Sequence, residues 1–509
     1  MMGVVMAAAE NMSTDPNAPA QESGRAKRLS QLLGLVEAPD VWVTGLALDS
    51  RTVRPGDLFA ALPGTRHDGA AFIDQAIAQG AAAILVSERA VDPARYSVPV
   101  VAVADPRRTL AEIAARFFGA QPAHVVAVTG TNGKSSVVEF LRQLWNRRGL
   151  SAASIGTLGV RGIGADPTAA GLTSPDPITL HRLLAALAEE GCTHAAIEAS
   201  SHGLIQKRLD AVRLVAAAFT NLTRDHLDYH RTMEAYFYAK ARLFGELLPP
   251  RAPAVIVVDD EWGREMEMLA WGRGMRVLSI GERAADWRIT EWEPLASGQR
   301  ARIQIAGGDI HELHLPLVGR FQLTNALVAA GLLHLTCDVA AQEAFVLLAG
   351  LRPVPGRLEH LGRTPTGGDV YLDYAHTPAG LEAVLEALRP HTRSRLVVVF
   401  GCGGDRDPGK REMMGAIAAR LADRVIVTDD NPRSEDPGAI RRMVLAGARG
   451  AQEIGDRAEA IRAGLAMLEA GDVLVVTGKG HETGQIVGDA VLPFSDAAVV
   501  AAWLAERES

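Results

Sequence analysis

The stretch "HVVAVTGTNGKSSVVEFLRQLWNRRGL" (124–150) decides the fold. A short apolar run leads into a glycine-rich turn, and the residues after the turn have the spacing of a helix. Such a turn points backbone N–H groups at an anion, and the helix N-terminus favours negative charge. Lys134 would bind the β- and γ-phosphates of a nucleotide, and Ser135 would offer a hydroxyl to Mg²⁺. The sequence therefore predicts a phosphate loop, although Gly130 lies closer to Gly133 than in the usual GxxxxGK[ST] pattern.

Similar apolar runs recur between helical stretches along most of the chain. Examples are "AAAILVS" (81–87), "SRLVVVFG" (394–401) and "DVLVVTG" (472–478). Continuous apolar strands that alternate with helices are typical of parallel sheets covered on both faces. We therefore expect an α/β fold, with a mostly parallel, P-loop-type central sheet and a Rossmann-like C-terminal domain.

The length predicts three domains. A chain of 509 residues is too long for one core, and about one domain per 150 residues suggests roughly three. The first block covers residues 1–121, of which about the first 25 are expected to be a disordered leader. The second block, 122–352, contains the phosphate loop. The third, 353–509, starts at the linker-like "RPVPGR" and repeats strand–helix units.

The composition narrows the range of functions. The net charge of −8 argues against nucleic-acid binding and against attachment to a membrane surface. No apolar run approaches the ~20 residues that span a bilayer, and the start of the chain lacks the basic residues of a signal peptide. The three cysteines are far apart, which argues against a zinc site or disulfides. We expect a soluble, cytoplasmic protein, monomeric and acting on small molecules.

Four further segments follow the phosphate loop in a recognisable order. They are "IEASSHGLIQKRL" (197–209), "FTNLTRDHLDYHRTMEAYFYAKARLF" (219–244), "GRFQLTNALVAA" (319–330) and "PGRLEH" (355–360). With the short form GTNGK[ST][ST], they resemble the Mur ligases, ATP-dependent enzymes that form amide bonds. The likeness covers nearly the whole chain after the leader. It implies that the first block binds a UDP-linked substrate, the second ATP and the third an amino acid.

The resemblance implies a nucleotide and metal site. ATP would be bound by Gly130, Thr131, Asn132, Gly133, Lys134, Ser135, Ser136, Asn325, Arg357, Asp373 and His376. The catalytic residues would be Lys134, Glu198, His226 and Lys240. Mg²⁺ would bind Ser135, Glu198, His226 and a carbamylated Lys240. From the residues alone, Glu198 could be an ordinary strand-end acid, His226 a packing residue and Lys240 a solvated lysine. The chain departs from the common family pattern at Gln322 and at "VVDD" (257–260).

The same resemblance implies a site for a UDP-linked muramoyl peptide. In "LALDSRTVRPGD" the matching residue for the uridine end is Ser50, although the segment could also be a simple turn. The peptide end would be bound by Thr173, Ser174, Ser200, Gln206 and Arg208. A guanidinium can bind a carboxylate with two parallel hydrogen bonds, so Arg208 suits the D-Glu carboxylate.

The loop "VTDDNPRSEDP" (427–437) carries charges of both signs after a predicted strand. Because ligands of open α/β sheets bind at the carboxyl edge, three strand-end loops would meet there. They carry Arg406, Asp430, Asn431, Arg433, Gly478 and Glu482. Acids and guanidinium groups together fit a zwitterionic amino acid. In the family "DNPR" is associated with meso-2,6-diaminopimelate, whose second carboxylate Arg433 would face. The same arginine would reject lysine, because a buried unpaired guanidinium is unfavourable.

The resemblance therefore implies a specific reaction. The chain would join meso-diaminopimelate to the γ-carboxylate of D-Glu in UDP-N-acetylmuramoyl-L-alanyl-D-glutamate, for peptidoglycan synthesis, through an acyl phosphate. Two enzymatic alternatives are the same ligation with L-lysine and a folylpolyglutamate synthetase-like activity. A nucleotide-dependent regulatory or scaffold protein on the same fold is the alternative without catalysis.

Overall fold

The computed structural model describes residues 26–35, 39, 41–64, 68–162, 172–295 and 298–508. The predicted leader lies outside the described residues. Within the described ranges, no helix is long and apolar enough to cross a membrane. Contacts between Cα atoms divide the chain into two compact units. Unit 1 comprises Met1–Ala127, Leu150–Val215 and Gly245–Pro249, and unit 2 comprises Val128–Gly149, Ala216–Phe244 and Pro250–Ser509. The three predicted block boundaries remain a prediction.

Short strands supply the frame of both units. In the described ranges they are β1 (Lys27–Arg28), β2 (Trp42–Val43), β3 (Gly45–Ala47), β4 (Asp57–Ala61), β5 (Ala83–Ser87), β6 (Val100–Val103), β7 (His124–Thr129), β8 (Ala152–Gly156), β9 (Gly159–Arg161), β10 (His194–Glu198), β11 (Leu214–Phe219), β12 (Pro253–Val257), β13 (Arg276–Gly281), β14 (Trp287–Leu295), β15 (Gly298–Ile305), β16 (Ile310–Leu315), β17 (Glu359–Arg363), β18 (Asp369–Asp373), β19 (Leu396–Phe400), β20 (Arg424–Val427), β21 (Gln452–Glu453), β22 (Val473–Thr477), β23 (Gly484–Val487) and β24 (Ala490–Pro493).

Helices connect most of these strands. Among the described residues they are α1 (Leu29–Leu33), α2 (Ile73–Ala78), α3 (Pro106–Phe118), α4 (Lys134–Arg147), α5 (Pro177–Glu189), α6 (Ser201–Ile205), α7 (Leu227–His230), α8 (Met233–Arg242), α9 (Glu261–Gly272), α10 (Arg320–Cys337), α11 (Ala341–Leu348), α12 (Pro378–Leu388), α13 (Gly409–Leu421), α14 (Pro437–Gly447), α15 (Arg457–Ala466) and α16 (Asp496–Glu508). Short 3₁₀ turns occur at Ser50–Thr52, Gly69–Phe72, Pro93–Arg95 and Arg389–His391, and one π-helical turn at Leu243–Leu247.

Unit 1 contains a four-stranded parallel sheet in the order β3-β4-β5-β6. Helix α3 packs its apolar side against this sheet, where Ile113 and Phe117 join Leu58 and Leu85 in one buried cluster. The helix begins after Asp105, whose side chain accepts a hydrogen bond from the backbone N–H of Arg108. Such an N-cap satisfies one of the free N–H groups of the first turn. Unit 1 also contains the parallel pair β8–β10 and the antiparallel pair β8–β9.

Unit 2 contains the parallel series β11-β12-β13-β14. Strands β14, β15 and β16 then continue as an antiparallel meander. In β15 buried side chains such as Ala301 and Ile303 alternate with exposed ones such as Arg300 and Arg302. This alternation is typical of an antiparallel strand with one solvated face. The meander was not predicted from the sequence.

The C-terminal part of unit 2 forms a six-stranded sheet in the order β17-β18-β22-β19-β20-β21. All neighbours are parallel except the edge strand β17. On one face the sheet packs against α12, α13 and α14 through residues such as Leu385, Met414 and Val444. On the other face it packs against α15 and α16 through Ile461 and Trp503. The expected α/β fold is confirmed here, because both faces of a mostly parallel sheet are covered by helices.

Candidate active site

The phosphate loop joins β7 to α4, and two of its glycines adopt backbone angles that side chains avoid. Gly130 has a φ of 147°, and a Cβ there would collide with the hydroxyl of Thr220. Gly133 has a φ of 89°, and a Cβ there would collide with the amide oxygen of Asn325. Both positions therefore require glycine on grounds of conformation and of space. Asn325, predicted beside the adenine, lies against the loop.

Two lysines meet at one carbonyl oxygen of this loop. The ammonium of Lys134 donates to the carbonyl of Gly130 at 3.0 Å and to that of Thr131 at 2.8 Å. The ammonium of Lys240, from α8, donates to the same Gly130 carbonyl at 2.7 Å. The fold thus brings together two predicted catalytic residues that are far apart in the sequence.

Lys240 is buried rather than solvated. Its side chain is 1% exposed, and its Nζ lies 4.4 Å from the ring centre of Tyr236, one helical turn earlier on α8. The Tyr236 hydroxyl lies 3.2 Å from the hydroxyl of Thr131 in the loop. Burial, followed by the charge of Lys134, lowers the pKa of Lys240 well below its usual range, and Asp225 only partly opposes this. The neutral amine is therefore the favoured form of this lysine.

His226 lies next to the same group of residues. It has a left-handed backbone with a φ of 55°, and its Nε2 lies 3.4 Å from a carboxylate oxygen of Asp225. Burial alone would raise the pKa of Asp225, but His226, His376 and Lys134 outweigh it and hold that pKa below the usual range. Asp225 is therefore the common anionic neighbour of three predicted site residues. Sequence reasoning missed Asp225 itself, although it directly precedes His226.

Arg357 connects the linker segment to the phosphate loop. Its Nη2 donates to the hydroxyl of Ser135 at 3.1 Å, and its guanidinium lies 4.4 Å from the ring centre of Tyr374. The side chain of Gln322 donates to the Arg357 carbonyl at 3.1 Å and accepts from Asn325 at 3.1 Å. Gln322, where the chain departs from the common family pattern, therefore bridges two of the predicted nucleotide-binding residues.

Two further predicted residues are buried where β18 ends. The carboxylate of Asp373 accepts from the backbone N–H groups of Leu358 and Ala375, both at 2.7 Å. Burial raises the pKa of Asp373 to about 6, against the opposing effects of Arg357 and of these N–H groups. Burial also lowers the pKa of His376, and the charge of Lys410 adds to this effect.

In unit 1 the predicted peptide-binding residues surround Glu198. The two oxygens of that carboxylate accept from the backbone N–H of Thr157 at 2.8 Å and from its hydroxyl at 3.1 Å. The Thr157 hydroxyl also lies 3.1 Å from that of Thr173. The hydroxyl of Ser174 donates to the Glu198 carbonyl at 2.8 Å and lies 3.0 Å from that of Ser200. Four residues predicted from separate motifs thus form one hydrogen-bonded group.

Arg208 extends this group. Its Nη1 donates to the carbonyl of Ser174 at 2.7 Å, and its Nη2 donates to the side-chain oxygen of Gln206 at 2.7 Å. Ser50 lies elsewhere in unit 1, where its hydroxyl donates to Gln75 at 2.9 Å. It lines a cavity of about 470 Å³ together with Asp49 and others. The structure therefore forms a cavity at the position predicted for the uridine end.

The predicted amino-acid residues meet at the carboxyl edge of the C-terminal sheet. The amide nitrogen of Asn431 donates to Glu482 at 3.0 Å. A Cβ at Gly478, which has a φ of 112°, would press against the carboxylate of Asp430. Burial lowers the pKa of Arg433, and the charge of Arg406 adds to this effect, whereas Asp430, Glu482 and Asp405 oppose it. We call the six predicted residues of this edge, Arg406, Asp430, Asn431, Arg433, Gly478 and Glu482, the amino-acid pocket.

A short hairpin fixes the backbone of the "DNPR" loop. Arg433 has a φ of 53°, and its N–H donates to the carbonyl of Ile486 in β23 at 3.1 Å. The N–H of Gly488 donates to the Arg433 carbonyl at 2.8 Å. The side chain of Gln485 donates to the Asp430 carbonyl at 2.7 Å. The hairpin β23–β24 thus holds Arg433 in an unusual backbone conformation.

Sequence reasoning missed several residues of these sites. Tyr236 precedes Lys240 by four positions on a helix, and this spacing was a usable signal. Lys479 stands between Gly478 and Glu482 and bonds Asn431, yet it was passed over. Among the described residues, no three His, Cys, Asp or Glu side chains are grouped as a metal site. The predicted metal ligands lie in both units, with Glu198 in unit 1 and the other three in unit 2.

The fold and the site are those of a Mur-type ligase, with a phosphate loop, charged strand-end loops and parallel-sheet domains. The chain belongs to the Mur ligase family. The model of the Mur ligase family catalytic domain matches residues 43–118. The Mur ligase middle domain matches 128–333, and the glutamate ligase domain matches 356–480. One relative is the UDP-N-acetylmuramoyl-L-alanyl-D-glutamate–2,6-diaminopimelate ligase of Rhizobium meliloti (strain 1021). It is 54% identical over 92% of this chain and 96% of its own.

A protein of the same name from Bradyrhizobium diazoefficiens (strain JCM 10833) is 55% identical over 91% of this chain and 95% of its own. The solved structure of a UDP-N-acetylmuramoyl-L-alanyl-D-glutamate–2,6-diaminopimelate ligase is similar, with a TM-score of 0.68 and 32% identity over 95% of this chain and 100% of that one. A D-alanyl-D-alanyl-adding ligase from Acinetobacter baumannii shares the fold at 20% identity, with a TM-score of 0.61 over 96% of this chain and 100% of that one. The expected α/β Mur ligase fold is confirmed.

Proposed function

We propose that this chain joins meso-2,6-diaminopimelate to the D-Glu γ-carboxylate of UDP-N-acetylmuramoyl-L-alanyl-D-glutamate, at the expense of ATP, in peptidoglycan precursor synthesis. The observation that carries the proposal is the amino-acid pocket, in which Arg406 and Arg433 lie beside Asp430 and Glu482. Guanidinium groups suit carboxylates, and carboxylates suit ammonium groups. Relatives that are 52–55% identical carry the name of this ligase.

ATP would bind at the phosphate loop, with Lys134 on its phosphates. The residues that support this role meet in unit 2, where Arg357 donates to Ser135 and Asn325 lies against Gly133. Lys134 donates to two loop carbonyls. We infer that this ammonium exchanges those bonds for phosphate oxygens when the nucleotide binds, as oxygens of higher charge are stronger acceptors.

Mg²⁺ requires oxygen ligands and often takes several of them from substrate phosphates. Ser135 and Glu198 offer a hydroxyl and a carboxylate, and this chemistry fits a cation bound mainly by ATP. His226 adds a nitrogen, and Lys240 qualifies only after it becomes a carbamate. When bound, Mg²⁺ would offset the charge that develops on the transferred phosphoryl group.

The carbamate at Lys240 is the second part of this proposal. A neutral lysine amine reacts with CO₂, and the pKa of Lys240 is lowered by burial and by Lys134. The product is an anion beside Lys134, so that the two side chains attract each other. The N–H of the carbamate would still donate to the Gly130 carbonyl, which would keep the modified side chain in its place on α8.

The reaction then has two steps. An oxygen of the D-Glu γ-carboxylate attacks the γ-phosphorus of ATP, the bond to the bridging oxygen breaks, and ADP leaves with the electron pair. The amine of diaminopimelate attacks the acyl carbon of the resulting acyl phosphate. The carbon–oxygen bond breaks, phosphate leaves, and the nitrogen loses its extra proton to solvent. The residues proposed here bind and orient the three substrates, and this supplies much of the rate enhancement.

The muramoyl peptide would bind the group around Glu198. Arg208 would pair with the D-Glu carboxylate, and Thr173, Ser174 and Ser200 would contact the peptide. Ser50 and its cavity would hold the uridine end. The substrates of this reaction are nucleotide-linked precursors and ATP, and we accordingly place the enzyme in the cytoplasm. Its monomeric state remains a prediction for sedimentation to test.

The decisive experiment measures phosphate release by the purified protein with ATP, Mg²⁺ and UDP-N-acetylmuramoyl-L-alanyl-D-glutamate. We expect release only after meso-diaminopimelate is added, and far less with L-lysine. Turnover with a reduced folate and glutamate instead would establish the folylpolyglutamate synthetase-like alternative. Nucleotide binding without phosphate release on any candidate amino acid would favour the regulatory alternative and refute the proposed function.

A further inference from the structure

One buried cation of the C-terminal sheet has no role in the reaction described so far. Lys479 follows β22 and is 0% exposed. Its ammonium donates to the side-chain oxygen of Asn431 at 2.9 Å and to Oε2 of Glu482 at 2.9 Å. Both acceptors belong to the amino-acid pocket. Lys479 therefore lies directly behind two groups that would contact the incoming amino acid.

The bonds of Lys479 fix the orientation of the Asn431 amide. An ammonium can only donate, so that the amide oxygen must face it. The same oxygen also accepts from the backbone N–H of Ile486 at 2.9 Å. The amide nitrogen is then directed to Oε2 of Glu482, to which it donates at 3.0 Å. Two independent donors thus exclude the flipped amide, and one of them is Lys479.

Lys479 also fixes the position of the Glu482 carboxylate. Glu482 and Asp430 both oppose the effect of burial on the pKa values of Arg433 and Arg457. The two carboxylates of the pocket therefore act on the same two guanidinium groups. The ammonium of Lys479 and the amide of Asn431 both donate to Oε2 of Glu482, whose side chain is 32% exposed. These two donors thereby hold the carboxylate in place as an acceptor at the surface of the pocket.

The rarity of lysine in this chain is a second, independent observation. Of 52 lysine and arginine residues, six are lysines: Lys27, Lys134, Lys207, Lys240, Lys410 and Lys479. Lys240 and Lys479 are the two buried ones, at 1% and 0% exposure. A planar guanidinium with five donors cannot replace a compact ammonium between two fixed acceptors. Position 479, which lies between two acceptors, therefore suits the smaller cation.

We propose that Lys479 is a positioning residue of the amino-acid pocket, which orients the Asn431 amide and holds the Glu482 carboxylate in place as the acceptor for an ammonium group of the substrate. This inference rests on the proposed function, since it assumes that an amino acid binds there. Lys479 acts through Asn431 and Glu482 and needs no contact with the substrate.

The test compares Lys479→Met with the wild type in the full three-substrate assay. We expect the KM for meso-diaminopimelate to rise by about tenfold to a hundredfold, because charged hydrogen bonds of this kind are lost. The KM values for ATP and for the UDP-linked peptide should stay within about twofold, since a lost pocket contact acts on one substrate. Lys479→Gln, which keeps a polar side chain in the buried position, serves as a second variant. Arg395→Met is the matched control, because Arg395 pairs with buried Asp472 at the opposite edge of the same sheet.

A double-mutant cycle with Glu482→Gln separates positioning from stability. If Lys479 acts through Glu482, Lys479→Met should add little to the KM in the Glu482→Gln background. The inference is overturned if the KM for meso-diaminopimelate hardly changes. It is equally overturned if Lys479→Met changes all three KM values alike and lowers the melting temperature, and Arg395→Met does the same. Wild-type protein that releases no phosphate with any amino acid would refute the proposed function instead, so the two failures are distinguishable.

Discussion

Lys134 and Lys240 donate to one carbonyl oxygen, that of Gly130, at 3.0 and 2.7 Å. Two ammonium groups that share one acceptor repel each other, and burial strengthens the repulsion because water screens it less. The pKa of Lys240 is lowered accordingly, first by burial and then by Lys134. Each lysine has a different task in the proposed reaction, and the arrangement is stable once Lys240 loses its positive charge. The pair therefore gives a direct test of the carbamate.

The first prediction concerns CO₂. Enzyme that is stripped of CO₂ in degassed buffer at low pH should lose most of its ligase activity, because protonation blocks carbamate formation on Lys240. Bicarbonate added at higher pH should restore activity over the time of carbamate formation. Since the pKa of Lys240 is lowered, the neutral amine predominates above that lowered value and is lost as the pH falls through it. Phosphate release measures activity, and ¹³C NMR with labelled bicarbonate measures the carbamate.

Two variants serve as the controls for this experiment. Lys240→Ala should be at least about a hundredfold less active, as befits a lost charge in the catalytic site, and bicarbonate should not restore it. Lys27 lies outside the site, so the Lys27→Met variant should respond to CO₂ like the wild type. A carbamate signal that persists in Lys240→Ala, or full activity of wild type without CO₂, would contradict the prediction.

The second prediction concerns the bridge formed by Gln322. Gln322→Asn shortens the side chain by one methylene, so that it can no longer reach both the Arg357 carbonyl and Asn325. Because one lost hydrogen bond is worth about 1 kcal/mol, the KM for ATP should rise by about fivefold. The KM for meso-diaminopimelate should not change. Initial rates at varied ATP measure the effect, and an unchanged KM for ATP would show that the bridge does not order the nucleotide site.

The positions of many strands and the chemistry of the loops were predictable, but the side-chain partners were not. The phosphate loop could be predicted since a glycine-rich turn between an apolar strand and a helix has few other uses. The burial of Lys240 could not, because helical spacing places it equally well on a solvated face. Only the tertiary contact of α8 with the loop decides this.

The amino-acid pocket was likewise predicted only in part. Parallel topology brings the strand ends to one edge, so the meeting of Asp430, Arg433 and Glu482 followed from the pattern of strands. Lys479 escaped notice because a lysine between two glycines resembles an ordinary turn residue. The antiparallel meander of β14, β15 and β16 was missed for a related reason. Its short alternating runs lack the continuous apolar pattern used to find the parallel strands.

The third prediction concerns substrate choice. The guanidinium of Arg433 donates to the carbonyl of Gly404 at 2.8 Å and is only partly buried. In the proposed complex it pairs with the second carboxylate of meso-diaminopimelate, which L-lysine lacks. Arg433→Ala should therefore lower the preference for meso-diaminopimelate over L-lysine by about a hundredfold or more, because a charged hydrogen-bonded pair is lost. Competition between the two amino acids, followed by mass analysis of the products, measures the ratio.

The matched control for this variant is Arg441→Ala. Arg441 pairs with Asp429 and Glu453 beside the loop, outside the proposed pocket. It should change stability but leave the ratio of the two products unchanged. An Arg433→Ala enzyme with the wild-type ratio would remove Arg433 from substrate selection, although the pocket could still bind an amino acid.

The last prediction concerns acid stability and His181 of α5. Its Nε2–H donates to the carbonyl of Asp210 at 3.1 Å, and burial lowers its pKa to about 4. Below pH 6.5 the unfolded chain binds a proton that the folded chain refuses, so the free energy of unfolding falls as the pH drops towards 4. His181→Gln keeps a donor but does not titrate, and its stability relative to wild type should improve by about 3 kcal/mol between pH 7 and pH 4. Urea unfolding measures the difference. Parallel pH curves for wild type and His181→Gln would mean that His181 is protonated in the folded protein.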